Sequence, residues 1–430
     1  MIDRKRLLNH FDESAELLGR KGVSADQLGA VRDRVEQRRG AVTTESDLRA
    51  SLNRKSKEIG GLYKAGKRDE AEAAKAEVAQ LKDAIAANAA TLSTVDTEIN
   101  DLLLRIPNFP HPDAPVGTSE HDNVVVKSVN VAESYPETPP HWDIAEQLGL
   151  LDPERGAKLA GAMFTLLRGD GARLLRALVA FGLDLNRGSY EEILAPSFVR
   201  SDVFTGTGHL PKFANDSYHV ADSDLWAIPT GEVPLMGMHQ GDLFAEEVLP
   251  LRYMTHTPCF RKEAGSAGKD TRGLQRLHEF HKVELVKLCT AEQVDAEYAA
   301  MIADVERAMT LLELPYRILD LCTGDLTFSS ERVHDIEVYS PGVDKWLEVS
   351  SIGRFSDYQT RRGNIRYRPE AGGKPKFAHA MNGSGLATPR VWAALLEHGW
   401  EAEQQRVRLP AALVPYMGKP FVEKNTLRTF

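Results

Sequence analysis

Residues 27–104 contain no proline and one aromatic residue, Tyr63, and are dominated by Ala, Glu, Lys, Leu and Arg. That is the composition of long helices. In the second half Val78, Leu81, Ile85, Leu92, Val95, Ile99 and Leu102 advance by 3, 4, 7, 3, 4 and 3 residues, the spacing of a heptad seam. In the first half Leu28, Val31, Val35, Val42, Leu52 and Ile59 hold one set of seam positions, interrupted by Arg38, Glu45, Arg49 and Ser56. Between the halves, the glycines of Gly60-Gly61-Leu62-Tyr63-Lys64-Ala65-Gly66-Lys67-Arg68-Asp69 are expected to break the helix and Asp69 to cap the next one. The prediction is an antiparallel coiled-coil hairpin over about 27–104. Each limb of about 35 residues would reach on the order of 50 Å, too long to pack inside a domain, so the hairpin is expected to project as an arm.

The run Ile106-Pro107-Asn108-Phe109-Pro110-His111-Pro112 ends the helix, because proline removes a donor and moves the preceding residue out of the helical region. The domain boundary is expected there, with an arm over 1–106 and a body over 107–430. In the body, β-branched and aromatic runs at 191–196, 283–289 and 346–351 read as strands, and 173–185, 291–312 and 388–397 read as helices. Strands and helices do not alternate regularly, so the fold class is α+β, a mostly antiparallel sheet flanked by helices. No window approaches 18 uninterrupted apolar residues, which predicts no membrane span. The charged start MIDRKRLLNHFDESAELL lacks the apolar core of a signal peptide. Cys259, Cys289 and Cys322 form no CxxC pair, and they read as buried thiols in a reducing cytoplasm.

Sixty-two acidic and 53 basic side chains leave a net charge of −9, which taken alone argues against a nucleic-acid partner. The sum hides a local reversal. Residues 49–68 carry seven basic side chains, Arg49, Arg54, Lys55, Lys57, Lys64, Lys67 and Arg68, against one acidic, a net of +6. Residues 69–104 carry eight acidic and two basic, a net of −6. A cationic end on a projecting arm suits a phosphate backbone, which attracts Lys and Arg without sequence readout.

Several short motifs lack a requirement of the site they suggest. Gly61 to Lys67 fits GxxxxGK, but Arg68 replaces the Ser or Thr and no strand precedes it. His278-Glu279-Phe280-His281 spaces its histidines by three where a zinc helix needs four, so no zinc is expected. Gly206-Thr207-Gly208 and Gly169-Asp170-Gly171 lack the third glycine of a dinucleotide fingerprint and read as turns.

The informative stretch is Cys259-Phe260-Arg261-Lys262-Glu263-Ala264-Gly265, then Asp270-Thr271-Arg272-Gly273, then Arg276-Leu277-His278-Glu279-Phe280-His281-Lys282-Val283-Glu284. It reads as an extended segment, a polar glycine-rich loop and a second extended segment, with cations and carboxylates interleaved. Such an antiparallel pair could hold two or three guanidiniums over a polyphosphate, with Glu263 accepting from an exocyclic amine and Phe280 stacked on a base.

These residues resemble the second signature motif of class II aminoacyl-tRNA synthetases, and specifically the bacterial-type seryl-tRNA synthetase family. The likeness covers nearly the whole chain. It takes in Gly169-Asp170-Gly171-Ala172-Arg173-Leu174, the 191–196 segment, Leu210-Pro211-Lys212-Phe213, Pro229-Thr230-Gly231-Glu232-Val233-Pro234-Leu235 and Cys322-Thr323-Gly324-Asp325-Leu326. It continues through Glu348-Val349-Ser350-Ser351, Asp357-Tyr358-Gln359-Thr360-Arg361-Arg362, Asn382-Gly383-Ser384-Gly385-Leu386-Ala387-Thr388-Pro389-Arg390 and Pro415-Tyr416-Met417-Gly418.

The resemblance implies a class II catalytic domain behind a tRNA-binding arm. It implies ligation of L-serine to the 3′ end of serine tRNA through a seryl-adenylate, with release of pyrophosphate and AMP. Selenocysteine tRNA is a second acceptor that it allows. Arg261, Arg276 and Arg390 would carry the catalysis. ATP would lie against Arg261, Lys262, Glu263, Arg276, Phe280, Glu348, Val349, Ser350, Ser351 and Arg390, with Mg2+ on Glu348 and Ser351. Serine would meet Thr230, Gly231, Glu232, Arg261, Glu284, Asn382 and Ser384. The seven tip cations would grip the long variable arm of the tRNA, and the protein would act as a cytoplasmic homodimer with neither a membrane nor a DNA partner. The chain departs from the family pattern at Gly231 for alanine, Lys262 for serine, Thr388-Pro389 for Val-Gly, and Ile352-Gly353 within an otherwise polar run. Two other readings use the same residues. One is a paralogue that adenylates an amino acid for a non-tRNA acceptor, against which the intact arm counts. The other is a non-catalytic RNA-binding homologue, against which the joint retention of Arg261, Glu263, Glu284, Glu348, Ser384 and Arg390 counts.

Overall fold

A computed structural model describes residues 1–264, 271–370 and 372–424, so Gly265 and Asp270 of the informative stretch lie outside the described residues. The chain divides into two compact units, 3–106 and 107 onward with Met1 and Ile2. No described helix is long and apolar enough to cross a membrane.

In the first unit two short helices, Arg4–Asn9 and Phe11–Gly19, precede the hairpin of α1 (Ala25–Lys64) and α2 (Arg68–Leu104). Helix α1 starts in a capping box: Ser24 accepts from the Gln27 backbone and the Gln27 side chain from the Ser24 backbone, so two otherwise orphaned donors are satisfied. The cross-pairs Arg34–Glu98, Arg38–Asp96 and Lys55–Glu77 rise on one helix as they fall on the other, which makes the pair antiparallel. Their 40 and 37 residues span about 60 and 55 Å.

Along α2, Ala71, Ala74, Val95, Ile99 and Leu103 are buried, while Val78, Leu81, Ile85 and Leu92 are half-buried, as a two-helix seam open to water on both sides must be. The seven-residue step from Ile85 to Leu92 is filled by Asn88, whose amide donates to the Ala41 carbonyl at 3.0 Å across the pair. A polar side chain at one seam position fixes register. Two details differ from the sequence reading. Helix α1 continues through Gly60 and Gly61, whose helix cost of about 1 kcal/mol each is outweighed within a long packed helix. The turn falls at Gly66, with φ +74°, and Asp69 lies inside the first turn of α2, where its charge meets the helix dipole, instead of capping it.

The second unit is built on one eight-stranded sheet. In chain order its strands are β1 (Val124–Val129), β2 (Glu191–Glu192), β3 (Leu251–Phe260), β4 (Glu279–Cys289), β5 (Tyr316–Asp320), β6 (Arg332–Ser340), β7 (Lys345–Ser356) and β8 (His379–Ala387). Their spatial order is β1-β5-β6-β7-β8-β4-β3-β2, antiparallel throughout except for the β2–β3 edge. The run at 191–196 pairs only over Glu191–Glu192; the other two expected strands are longer than their apolar runs.

Helices α3 (His141–Gln147), α4 (Asp170–Asn186), α5 (Val294–Leu311) and α6 (Thr388–His398) share one core with the sheet. Val283, Leu285, Ile336, Val338, Val349, Ile352 and Leu386 from the strands meet Leu174, Leu178, Phe181, Met301, Val305, Val391, Trp392 and Leu395 from the helices. An antiparallel sheet needs only one apolar face, so the other is free to carry chemistry.

Gly66 has open space around its Cα but a left-handed φ. Gly66→Ala is therefore expected to destabilise the hairpin by about 1 kcal/mol, and Gly66→Asn by less, because asparagine tolerates that region. Thermal melting of the full chain followed by helical circular dichroism checks the order.

Candidate active site

The polar face is assembled by strand alternation and two bulges. On β4, Lys282 and Glu284 point away from the core, while Val283 and Leu285 point into it. Opposite them on β3 stand Thr257 and Thr255, and Cys259 faces Phe280. On β8, Asn382 and Ser384 take the same side; the register then shifts between Ser384 and Leu386, which returns Leu386 to the core. On β7 the register shifts between Glu348 and Ser350. Without that bulge Glu348 and Ser351, three residues apart, would face opposite sides; with it both face the site. The residues between them turn away: Val349 is in the core, and Ser350 donates to the Ser384 carbonyl at 2.6 Å, tying one bulge to the other.

These side chains line a cleft of about 990 Å³. Its floor is a buried charge cluster. Lys282 ion-pairs with Glu284 and donates to Thr230 Oγ1 at 2.9 Å, and the Thr230 hydroxyl donates to Glu284 Oε2 at 2.9 Å. Gly231 is held against this cluster: an added Cβ would sit 2.7 Å from Thr255 Cγ2 and 2.9 Å from Glu284 Cβ. Glu232, at the start of a short helix (Glu232–Gly237), is buried and accepts from Gln359 Nε2, which also reaches the Thr207 carbonyl at 3.1 Å. Burial, with the Glu284 carboxylate adding to it, pushes the Glu232 carboxyl up to about 7 against the hydrogen bond from Gln359. His209, in the wall, is pushed down to about 3 by burial and by the cations Arg261, Lys282 and Arg362, so it is neutral.

Four guanidiniums line the cleft among the described residues; Arg317 is tied to Glu337 at 2.6 Å, and the other three stand along it. Arg261 follows β3, donates through Nε to the Pro229 carbonyl at 3.3 Å and lies over the Phe280 ring at 5.0 Å; it makes no ion pair among the described residues. Arg276 pairs with Glu263 at 2.7 Å. Arg390, in the first turn of α6, donates to the Glu348 carbonyl at 2.7 Å and to the Gln275 carbonyl at 3.4 Å. The arrangement offers a row of cations to an extended anion, and a small buried recess with acceptors for an ammonium and a hydroxyl.

Of the residues proposed from sequence, Thr230, Glu232, Arg261, Glu263, Arg276, Glu284, Glu348, Ser351, Asn382, Ser384 and Arg390 line this one cleft. Gly231 lies against Glu284 of its floor, and Phe280 lies under the Arg261 guanidinium. Lys262 does not: it is exposed, its ammonium 5.7 Å from the Tyr218 ring, because the chain turns after Arg261 and points the next side chain outward. Val349 and Ser350 are kept out by the β7 bulge. Sequence reasoning assigned no role to Lys282, Gln359 or His209. Lys282 had a signal, two residues before Glu284 on a predicted strand. Gln359 had none, since it meets Glu232 across 127 positions. Of the short motifs, Gly61 to Lys67 spans the end of α1 and the turn, His278 Nδ1 donates to the Arg261 carbonyl at 3.0 Å at the mouth of β4, and His281 pairs with His256 at 2.9 Å.

On the arm, Lys55 pairs with Glu58 and Glu77, Lys67 with Glu70 and Arg49 with Glu45. Lys57, Lys64 and Arg68 make no ion pair among the described residues, and Arg54 bonds only the Ser51 hydroxyl. Lys57 and Lys64 are seven residues apart and share a stripe of α1.

An antiparallel sheet with its cations and carboxylates on one face and its helices on the other is the catalytic fold of class II aminoacyl-tRNA synthetases. Residues 218–399 match the tRNA synthetase class II core domain of the G, H, P, S and T enzymes. A prolyl-tRNA synthetase from Giardia lamblia shares the fold at TM-score 0.57 and 17% identity, over 66% of this chain and 58% of that one. Residues 1–110 match the seryl-tRNA synthetase N-terminal domain. The chain is 45% identical to the serine–tRNA ligase of Pelobacter propionicus, over 97% of this chain and 99% of that one, and 44% identical to that of Syntrophotalea carbinolica, over 97% and 98%. It superposes on seryl-tRNA synthetase from Pyrococcus horikoshii complexed with ATP at TM-score 0.94 and 32% identity, covering 99% and 100%. The chain belongs to the seryl-tRNA synthetase family.

Because burial penalises its charged form, Glu232 is a neutral acid below about pH 7 and a carboxylate above it. Infrared difference spectra of the wild type against Glu232→Gln are expected to show one carboxylic acid ionising near pH 7, well above the ordinary carboxylate range.

Proposed function

We propose that the protein ligates L-serine to serine tRNA in two steps. What carries the reading is the meeting, in one cleft, of Arg261, without an ion pair among the described residues, with the buried Thr230–Lys282–Glu284 cluster and Glu232. In the first step a serine carboxylate oxygen attacks the α-phosphorus of ATP, and the bond to the β-phosphate oxygen breaks, giving seryl-adenylate and pyrophosphate. In the second the terminal ribose hydroxyl of the tRNA attacks the seryl carbonyl and AMP leaves.

The chain's side chains orient and neutralise in these steps; no protein nucleophile is required. Arg261 would bridge the serine carboxylate and the α-phosphate, which its open guanidinium suits. Arg276 and Arg390 would take the outer phosphates, exchanging carboxylate and carbonyl partners for phosphate oxygens. Phe280 would stack on adenine and Glu263 accept from its amine. Glu232 and Thr230 would hold the ammonium, and Glu284 and Ser384 the side-chain hydroxyl, with Asn382 beside Glu232. Mg2+ fits this cleft: Glu348 and Ser351 offer hard oxygens, and Asp335, opposite Ser351, keeps one buried oxygen without a partner among the described residues. When bound, the ion would neutralise charge on the phosphates.

The match to the seryl-tRNA synthetase N-terminal domain supports the arm as the grip for the long variable arm of the tRNA, with Lys57, Lys64, Arg68 and Arg54 as its available cations. Family resemblance supports a homodimer, selenocysteine tRNA as a second acceptor and a cytoplasmic setting; the three free, buried cysteines suit the last.

Serine-dependent exchange of pyrophosphate into ATP, and charging of total tRNA with serine but not alanine or threonine, test the reading. Rejection of alanine should reach about 10⁴, since its binding strands Glu284 and Ser384. Arg261→Ala is expected to lower kcat of exchange by about 10²–10³. Folded wild-type protein without serine-dependent exchange rules the reading out. On the arm, Lys57→Ala and Lys64→Ala are each expected to raise KM for tRNA and to reduce its salt slope by about 1, and the ion-paired Lys55→Ala to do less; charging rates at several salt concentrations measure this.

A further inference from the structure

One fully buried polar cluster takes no part in the reading above. His141 opens α3 with no exposed surface, and the Glu397 side chain, near the end of α6, has none either. Glu397 Oε1 accepts from the His141 backbone at 2.9 Å and lies 3.0 Å from His141 Nδ1. Glu397 Oε2 accepts from the Ser340 hydroxyl and from the Gly342 backbone at 3.1 Å. The Leu274 backbone N–H points at His141 Nε2, 3.0 Å away. A backbone amide can only donate, so Nε2 is the acceptor, Nδ1 carries the proton, and Glu397 receives it. Burial opposes ionisation of Glu397, yet the hydrogen bonds from His141 and Ser340 hold its carboxyl below the usual range.

Leu274 lies two residues before Arg276, on the limb that returns into β4. The limb is pressed onto α3: a Cβ on Gly273, whose φ is +61°, would lie 2.2 Å from His141 Nε2 and 2.9 Å from the Trp142 ring. Its next residue, Gln275, is held by Arg390 through its carbonyl. Arg390 and Glu397 are seven residues apart on α6, two turns, and so share a face. One helix face thus grips adjacent loop residues, Gln275 directly and Leu274 through His141.

We propose that His141 is a positioning residue for ATP: by accepting from Leu274 it sets the limb that carries Arg276, and Glu397 makes α6 the common anchor of Arg276 and Arg390. The inference rests on the assignment of those arginines to the phosphates. A histidine suits the place because it passes a hydrogen bond through a rigid ring with a donor on one side and an acceptor on the other.

His141→Asn keeps a donor toward Glu397 but leaves no acceptor within reach of Leu274, whereas His141→Gln carries an amide oxygen near the lost Nε2. In serine-dependent pyrophosphate exchange, His141→Asn is expected to raise KM for ATP about tenfold, short of the ~100-fold that a 1 Å misplacement costs, with KM for serine within about twofold of wild type. His141→Gln should recover most of the ATP affinity. A packing role alone would lower the melting temperature and the titre of active sites without moving KM for ATP. An unchanged KM for ATP in folded His141→Asn, or an equal rise for serine, overturns the proposal. Should that variant not fold, Glu397→Gln, whose NH2 must face either the His141 donors or the Ser340 and Gly342 donors and so loosens the anchor on α6, must show the same ATP-selective rise, and an unchanged KM for ATP there overturns the proposal too. Wild-type protein without exchange would instead overturn the functional reading.

Discussion

The cleft depends on two opposite charges buried side by side. Lys282 and Glu284 occupy successive outward positions of β4, and each is nearly inaccessible to water. Either one alone would cost several kcal/mol to desolvate; their mutual attraction and the two hydrogen bonds of Thr230 offset that cost. Such a pair is weak evidence for stability. What it supplies is orientation: Glu284 stays fixed, Thr230 has its hydroxyl hydrogen committed, and the nearby Glu232 feels an added negative field. The helices on the far face make this possible, because a floor backed by Val283, Leu285 and Trp392 has no room to relax.

How much of this could be read beforehand varies by element. The hairpin was legible because a heptad is a local signal, and so was the β3–β4 pair, whose alternating charges declare an extended segment. The two bulges were not. A bulge changes the phase of a strand without changing its composition, so Glu348 and Ser351 reached one side, and Val349 and Ser350 the other, for reasons that only the pairing with β6 reveals. Lys262 was misplaced for a related reason: it is adjacent to Arg261, and adjacency in a chain leaving a strand means opposite directions. Gln359 was invisible because its partner lies in another element.

Charge on the arm shows the same gap between counting and geometry. Seven cations mark the tip, but three are spent within the arm, on Glu45, on Glu58 with Glu77, and on Glu70. The acidic return helix therefore does more than balance a total. Through Glu77 it neutralises Lys55 on α1 and leaves Lys57 and Lys64 open, which narrows a diffuse positive end to a few side chains.

Gly231 carries a further consequence. The space that an alanine methyl would fill there is already occupied by Thr255 Cγ2 and Glu284 Cβ. The family resemblance puts alanine at this position, and here there is no room for its methyl. Restoring alanine without trimming Thr255 would overpack a site whose neighbours cannot yield, and trimming Thr255 without restoring alanine would open a void beneath the recess. The two positions are coupled through packing: a substitution at one changes what the other can hold.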